Sequence, residues 1–447
     1  MSFVRRSLFL FCSILLLAGL VPRGLPAQSP PATVLTGDAS AKPQQAYTLP
    51  PDKLAKAIAI SRIRNILDIA GSLWGVAVLW VLLATRFFSG LEAWVGRVFH
   101  RRWLQGLLFF AVFFIVTTLA GLPIDAFGHY VSRSYGISIE GWGGWLDDQG
   151  KALALTVLVG SLVLLLFNWI VRRWPRRYWS GIWLVALPLM VLSLLISPLF
   201  EPIFNKYEPL NQNHAALVTE LETVVARTGT DIPPNRMFLM KASEKTNGLN
   251  AYVDGIGATK RIVVWDTTAG RIPDDEVLFI FGHESGHYVL NHIPKGMALT
   301  AVALFFVFWS CAGFAAWLAE RFGASWGLKA QDSSAAPLAS RTGFTVLIFA
   351  VSLAGLVLQP IANTLSRHFE HEADIYGQEA IHGLVPDPQK TAVAAFNALG
   401  EAWLEDPSPS PFIEFWDYNH PSVKTRANFA AHYDPWANGG HGEFFDK

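Results

Sequence analysis

Residues 179–199 read Trp179-Ser-Gly-Ile-Trp-Leu-Val-Ala-Leu-Pro-Leu-Met-Val-Leu-Ser-Leu-Leu-Ile-Ser-Pro-Leu199, without one charged side chain. As a helix rising about 1.5 Å per residue, this stretch crosses the roughly 30 Å hydrocarbon core of a bilayer. Arg172, Arg173, Arg176 and Arg177 stand before it, and a polar run through residue 296 follows it. An apolar span with a basic flank on one side and a folded insert on the other decides the class: a multi-pass α-helical membrane protein. Similar stretches occur at 66–85, 103–122, 152–171, 297–318 and 343–362, giving six spans. Composition agrees, because 52% of the 447 residues are hydrophobic and only 16% charged. Soluble domains carry about a quarter charged residues, so a soluble enzyme or a disordered chain is excluded. The net charge of zero gives no reason to expect a nucleic-acid partner. Cys12 and Cys311 both lie in apolar runs, so neither a disulfide framework nor a thiolate metal site is expected.

Working outward, the chain divides into six parts. Residues 1–27, with Arg5 and Arg6 before an apolar run and Ala27 at its end, are read as a cleaved secretory signal peptide, with an uncleaved first span as the alternative. A linker and N-terminal polar segment (28–65) leads to a four-span bundle (66–199). An α+β insert (200–296), a two-span hairpin (297–362) and a polar C-terminal segment (363–447) complete the chain. Arginines assign the sides. Arg86, Arg97, Arg101 and Arg102 fill one short loop and the four before Trp179 another, whereas the loop between them carries Asp125, Glu140, Asp147 and Asp148. Basic short loops face the cytoplasm, which places the insert and the tail on the other side. With a signal peptide, this describes a bacterial inner-membrane protein. The Trp142-Gly-Gly-Trp145 segment is read as an interfacial loop. Asp68, Asn168, Gln359 and Asn363 are read as facing a bundle interior.

The insert has its own pattern. Residues 214–228 have helical apolar spacing, and 236–241, 250–254 and 261–265 read as short strands. Asp274 or Asp275 is expected to cap a helix running toward His292. That helix holds His283-Glu284-Ser285-Gly286-His287. Two His four residues apart project from one face and can reach one zinc ion, while Glu284 can address a water on it. A hydrolytic site needs a third protein ligand. The tail supplies Ser366-Arg367-His-Phe-Glu370-His371-Glu372-Ala-Asp374, and two intervening spans return it to the side of the histidines. Glu370 and Asp374 share a helical face, one suited to ligate and the other to orient a His ligand. His371 and Glu372 compete by residue type but point about 100° and 200° away from Glu370.

These motifs, with His420-Pro421 and Arg426, Asn250-Ala251-Tyr252, Lys260 to Asp266 and Pro202 to Tyr207, resemble the type I CAAX prenyl proteases, integral-membrane zinc metalloproteases with a gluzincin-type site. The resemblance implies His283, His287 and Glu370 as ligands of one zinc ion, Glu284 as general base and Asp374 as an outer partner of the ligands. It further implies His420 and Arg426 as supports of the transition state and Asn250, Ala251 and Tyr252 as a substrate-holding edge strand. It implies seven spans around a water-filled chamber, the seventh falling at 7–21.

The expectation is therefore a six- or seven-span membrane protein with an inserted α+β zincin-like domain. It would act as a zinc endopeptidase on a peptide or protein substrate, prenylated or membrane-associated, within a lipid bilayer. Two alternatives remain at this point: a heat-shock-type quality-control zinc protease, and a non-catalytic scaffold or conduit with structural zinc.

Overall fold

The computed structural model describes residues 46–255, 257–328 and 336–445; residues 1–27, read as a signal peptide or first span, and the start of the expected linker lie outside them. Among the described residues, six helices are long and apolar enough to cross a membrane. In chain order the membrane part begins with α1 (Pro51–Ala84), α2 (Phe87–Val98), α3 (Arg102–Ser134), α4 (Trp142–Arg173) and α5 (Tyr178–Phe200). Their outer faces carry Leu, Val and Trp side chains such as Leu158, Trp169, Leu199 and Trp80, as a lipid-facing surface should. Inside, Phe88, Phe109, Phe110, Leu164 and Phe344 form a buried aromatic-rich cluster.

Four features depart from the sequence reading. α1 begins at Pro51 rather than near 66, because Ala57 and Ile60 are buried and Leu54 and Ile63 pack against the same core. α2 occupies what reads as a basic loop. Its Glu92 accepts hydrogen bonds from the backbone N–H of Arg341 (3.0 Å) and of Thr342 (2.9 Å), so a carboxylate sits at the start of another helix. Trp142 and Trp145 belong to the first turn of α4, not to a loop, and pack around the buried ring of His129. A π-helical turn at Thr156–Gly160 interrupts α4, where Gly160 admits the Phe114 ring.

The insert follows as β1 (Tyr207–Pro209), α6 (Ala215–Thr228), β2 (Met237–Met240), β3 (Ala251–Asp254), β4 (Arg261–Trp265) and α7 (Asp274–Val289). The sheet order is β1-β2-β4-β3, with β2 and β4 parallel and the outer pairs antiparallel. β3 is thus an edge strand, and it packs against α7. The cap of α7 is Pro273; Asp274, Asp275 and Glu276 lie inside the first turn instead, where their charges suit the helix dipole.

α8 (His292–Phe322) and α9 (Arg341–Ile381) form the hairpin, and α10 (Pro388–Trp403), α11 (Pro411–Trp416) and α12 (Val423–His432) form the tail. No break separates the last span from the C-terminal segment: α9 continues past Pro360 into the insert's core, where Tyr376, Ala380 and Ile381 join Leu221, Ile262, Phe279, Phe281 and Phe396. One rigid helix therefore carries both lipid-facing residues and the acidic cluster. Gln359 lines an apolar cavity of about 190 Å3 within the bundle, alongside Phe113, Phe114, Thr118 and Ile348.

Candidate active site

α7 presents His283 and His287 one turn apart, and α9 crosses it at the distance glycine permits. A Cβ on Gly282 would meet the Gly377 carbonyl oxygen at 3.1 Å, and a Cβ on Gly377 would meet the His283 backbone nitrogen at 2.8 Å. A Cβ on Gly286 would meet that of Tyr376 at 3.0 Å. Only glycine allows the two backbones this close, and the contact brings Glu370 and Asp374 against the histidines.

His283 Nε2 lies 3.3 Å from Glu370 Oε2, and His287 Nε2 lies 3.6 Å from Glu370 Oε1. The two Nε2 atoms are 3.2 Å apart. In a tetrahedral site with metal–nitrogen bonds of about 2.0–2.1 Å, two nitrogens sit about 3.3 Å apart, so the pair already has ligand spacing. Glu370 Oε2 is buried and has no aligned hydrogen-bond donor. One oxygen and two nitrogens within 4.8 Å of one another could hold a metal ion.

Charge leads to the same point. Asp374 is 3% exposed; it accepts from His283 Nδ1 at 2.9 Å and takes a forked pair from Arg426, Nε at 2.9 Å and the terminal nitrogen at 2.6 Å. Arg426 matches one of the two buried carboxylates, Glu370 and Asp374, and the second needs another cation. Burial disfavours a charged His283, yet hydrogen bonds and attraction from Asp374 and Glu370 outweigh it and lift this group to about 10. Its proton stands where a metal ion would supply the charge. Burial and the charge of His283 push His287 down to about 3, so it stays neutral. Burial raises Glu284 to about 7, although His283 and Arg426 oppose the rise. A carboxylate in that range suits proton transfer at neutral pH.

The other expected residues are placed as follows. His420 is half exposed, with Nε2 3.3 Å from Glu370 Oε2 and Nδ1 2.8 Å from Asn419 Oδ1. Arg426 approaches the cluster itself, its terminal nitrogen 3.7 Å from Glu370 Oε2 and 3.5 Å from His283 Nδ1. Its Nε and one terminal nitrogen pair with Asp374, and the guanidinium lies over the Phe396 ring at 4.6 Å. The backbone of Asn250 is occupied on the β4 side, its carbonyl accepting from Trp265 N at 3.1 Å and from Thr268 Oγ1 at 2.8 Å. Strand alternation then turns the main-chain groups of Ala251 and Val253 toward the free edge, and Val253 makes a backbone hydrogen bond to Glu284. The Tyr252 hydroxyl donates to Glu201 at 3.1 Å, away from the metal cluster. His371 is exposed against Phe429, and Glu372 contacts His292 at 3.0 Å, so neither joins the three ligand atoms.

Three positions on one stripe of α9 escaped the sequence reading as part of the site. Gln359 reaches Asp417 Oδ1 (3.3 Å), Asn363 Nδ2 reaches the Trp416 carbonyl (2.7 Å), and Arg367 reaches the carbonyls of Glu414 (2.7 Å) and Tyr418. Together they grip the segment that leads to His420. Their four-residue spacing was the available signal. The Gly282–Gly286 pair, also four apart, signalled the helix crossing in the same way.

Comparison with known proteins bears on this geometry. Residues 211–434 match the model of peptidase family M48, and residues 38–206 match that of the CAAX prenyl protease N-terminal region, described as five membrane helices. The chain is similar to the uncharacterized metalloprotease YhfN of Bacillus subtilis, 33% identical over 85% of this chain and 86% of the relative. It is also similar to CAAX prenyl protease 1 of Saccharomyces cerevisiae, 25% identical over 72% of this chain and 71% of that one. The crystal structure of S. mikatae Ste24p superposes with a TM-score of 0.70, at 21% identity over 95% of this chain and 96% of that one, and so shares the fold. The match through the N-terminal bundle sets aside the heat-shock-type alternative, and the family's chemistry sets aside the scaffold. The chain belongs to peptidase family M48 and is an integral-membrane zinc metalloendopeptidase of the CAAX prenyl protease group.

Proposed function

We propose that His283, His287 and Glu370 hold one zinc ion, and that a peptide is cut beside it with Glu284 as general base. Bound there, zinc supplies Lewis acidity and lowers the pKa of a water to near 7. Glu284 would take a proton from the water as it attacks the scissile carbonyl, and would pass it to the leaving amine as the C–N bond breaks. Asp374 holds the His283 ring by accepting its Nδ1 proton, and Arg426 keeps Asp374 ionised. His420, half exposed beside Glu370, is placed to donate to the developing oxyanion. The peptide lies extended along the free edge of β3, paired with the main chain of Ala251 and the carbonyl of Val253, as an added strand; Asn250 and Tyr252 anchor that strand from its far side. The observation that carries this reading is the spacing of the two Nε2 atoms, 3.2 Å, beside the buried Glu370 carboxylate, 3.3 and 3.6 Å away.

The named relatives suggest prenylated peptides as one substrate class. The arginine pattern supports a bacterial inner-membrane setting, with the site on the non-cytoplasmic side. Cleavage of one peptide in farnesylated and unmodified forms, with a chelator control, tests the substrate: faster cleavage of the farnesylated form supports prenyl recognition, and equal rates remove it.

A further inference from the structure

We propose that His292 and Glu372 form a relay that fixes the tautomer and ring orientation of His287, making the foot of the membrane hairpin a positioning device for the second zinc ligand. The proposal rests on the ligand set given above.

His283 has a carboxylate of its own, Asp374, at Nδ1. His287 has none. Its Nδ1 instead lies 3.1 Å from His292 Nδ1, and His292 Nε2 lies 3.0 Å from Glu372 Oε2. The order of protons along this chain follows from what each group can do. An ionised carboxylate only accepts, so His292 Nε2 carries a hydrogen. A neutral imidazole with its proton on Nε2 has a lone pair on Nδ1. His287 must then donate from its own Nδ1, which leaves the His287 Nε2 lone pair directed at the ligand cluster. The relay thus selects the tautomer that a metal requires.

The surroundings keep His292 from doing anything else. The residue is 3% exposed, and its ring lies flat on Phe369, centroids 4.4 Å apart and planes 7° from parallel. His292 opens α8, directly after Asn291, whose left-handed backbone (φ 58°) turns the chain out of α7. Glu372 and Phe369 lie on α9, on the stretch that continues the last span. Both members of the relay, and the ring that clamps it, therefore come from the base of the hairpin. A shift of α8 against α9 would reach His287 without any intervening loop.

Zinc release from the full-length protein in detergent into excess colorimetric chelator tests the relay. Glu372→Leu removes the acceptor and should speed release about 10-fold, and His292→Phe, which keeps the stack on Phe369, about 10- to 100-fold. Glu372→Gln, which retains an acceptor oxygen, should restore most of the wild-type rate. The double variant His292→Phe/Glu372→Leu should release zinc no faster than His292→Phe alone, because Glu372 acts through His292. Wild-type release from both Glu372→Leu and His292→Phe, or full additivity in the double variant, would overturn the relay. A wild-type protein without one bound zinc, or a His287→Ala protein that keeps it, would overturn the ligand set instead, so the two failures are distinguishable.

Discussion

The closest test of how the fold builds the site is Gly377→Ala. In an isolated helix this change would stabilise by about 1 kcal/mol, since alanine is the better helix former. Here the new methyl would lie 2.8 Å from the His283 backbone nitrogen and 3.0 Å from its Cα, and neither atom belongs to a side chain that can swing away. Restoring ordinary contact at about 3.4 Å requires α7 and α9 to part by about 0.6 Å near the ligands. Overpacking of this kind costs about 1–3 kcal/mol, so the net loss of stability is about 0–2 kcal/mol, a small effect. The effect on zinc is larger. Metal–ligand distances tolerate about ±0.2 Å, and Glu370 rides on the helix that must move. Zinc affinity should fall by about 10- to 100-fold, the scale seen when ligands lose their support. The assay is a competitive chelator titration of the purified protein, with thermal unfolding of the zinc-free form alongside. Gly313→Ala is the matched control, since a methyl there meets nothing within 4 Å and zinc affinity should not change. A Gly377→Ala protein with wild-type zinc affinity would refute the claim that this crossing sets the ligand spacing.

Other expectations follow from the charges. Arg426→Gln leaves Asp374 buried without its cation, which should destabilise the protein by about 3–5 kcal/mol, seen as a lower unfolding temperature. The same loss of positive charge raises Glu284 further, so the acid limb of kcat/KM should move to higher pH; an unmoved limb would show that Arg426 does not act on the base. With His283 at about 10 before metal uptake, a proton must leave for zinc to bind. Calorimetry in buffers of different ionisation enthalpy should find about one proton released, and affinity should rise about tenfold per pH unit between about pH 7 and 9. Arg367→Ala frees the segment before His420, so kcat should fall by about 100-fold, as for misplaced catalytic groups, while zinc content stays unchanged.

The parts of this account that were legible in the sequence are those governed by local periodicity. Spans follow from runs of apolar residues, although the helices extend well beyond those runs, and β2, β3, β4 and α6 follow from period and turn residues, each within about a residue of its observed ends. The His283–His287 pair was legible because both imidazoles sit within one helical turn. Glu370 needed the further argument that two spans return the chain to the same side. Contacts between distant elements were not legible. Nothing local marks Glu92 as the partner of the first residues of α9, or Glu372 as the partner of His292 rather than a ligand. Arg426 was legible as a charged residue near the site, but its direction depends on Asp374 already being buried beside it. Tyr252 was read correctly as a strand residue, while Asn250 falls one residue before β3. Which groups face the open edge depends on pairing with β4, which is a register and not a composition.

The central claim is that zinc bound by the two histidines and Glu370 cuts peptides with Glu284 as the base. The direct measurement is peptide cleavage by Glu284→Gln protein whose zinc content has been determined in the same preparation. One zinc per chain is expected, as in the wild type, with turnover reduced by about 100-fold or more, the scale of general-base catalysis. Wild-type turnover in a zinc-loaded Glu284→Gln protein would contradict it.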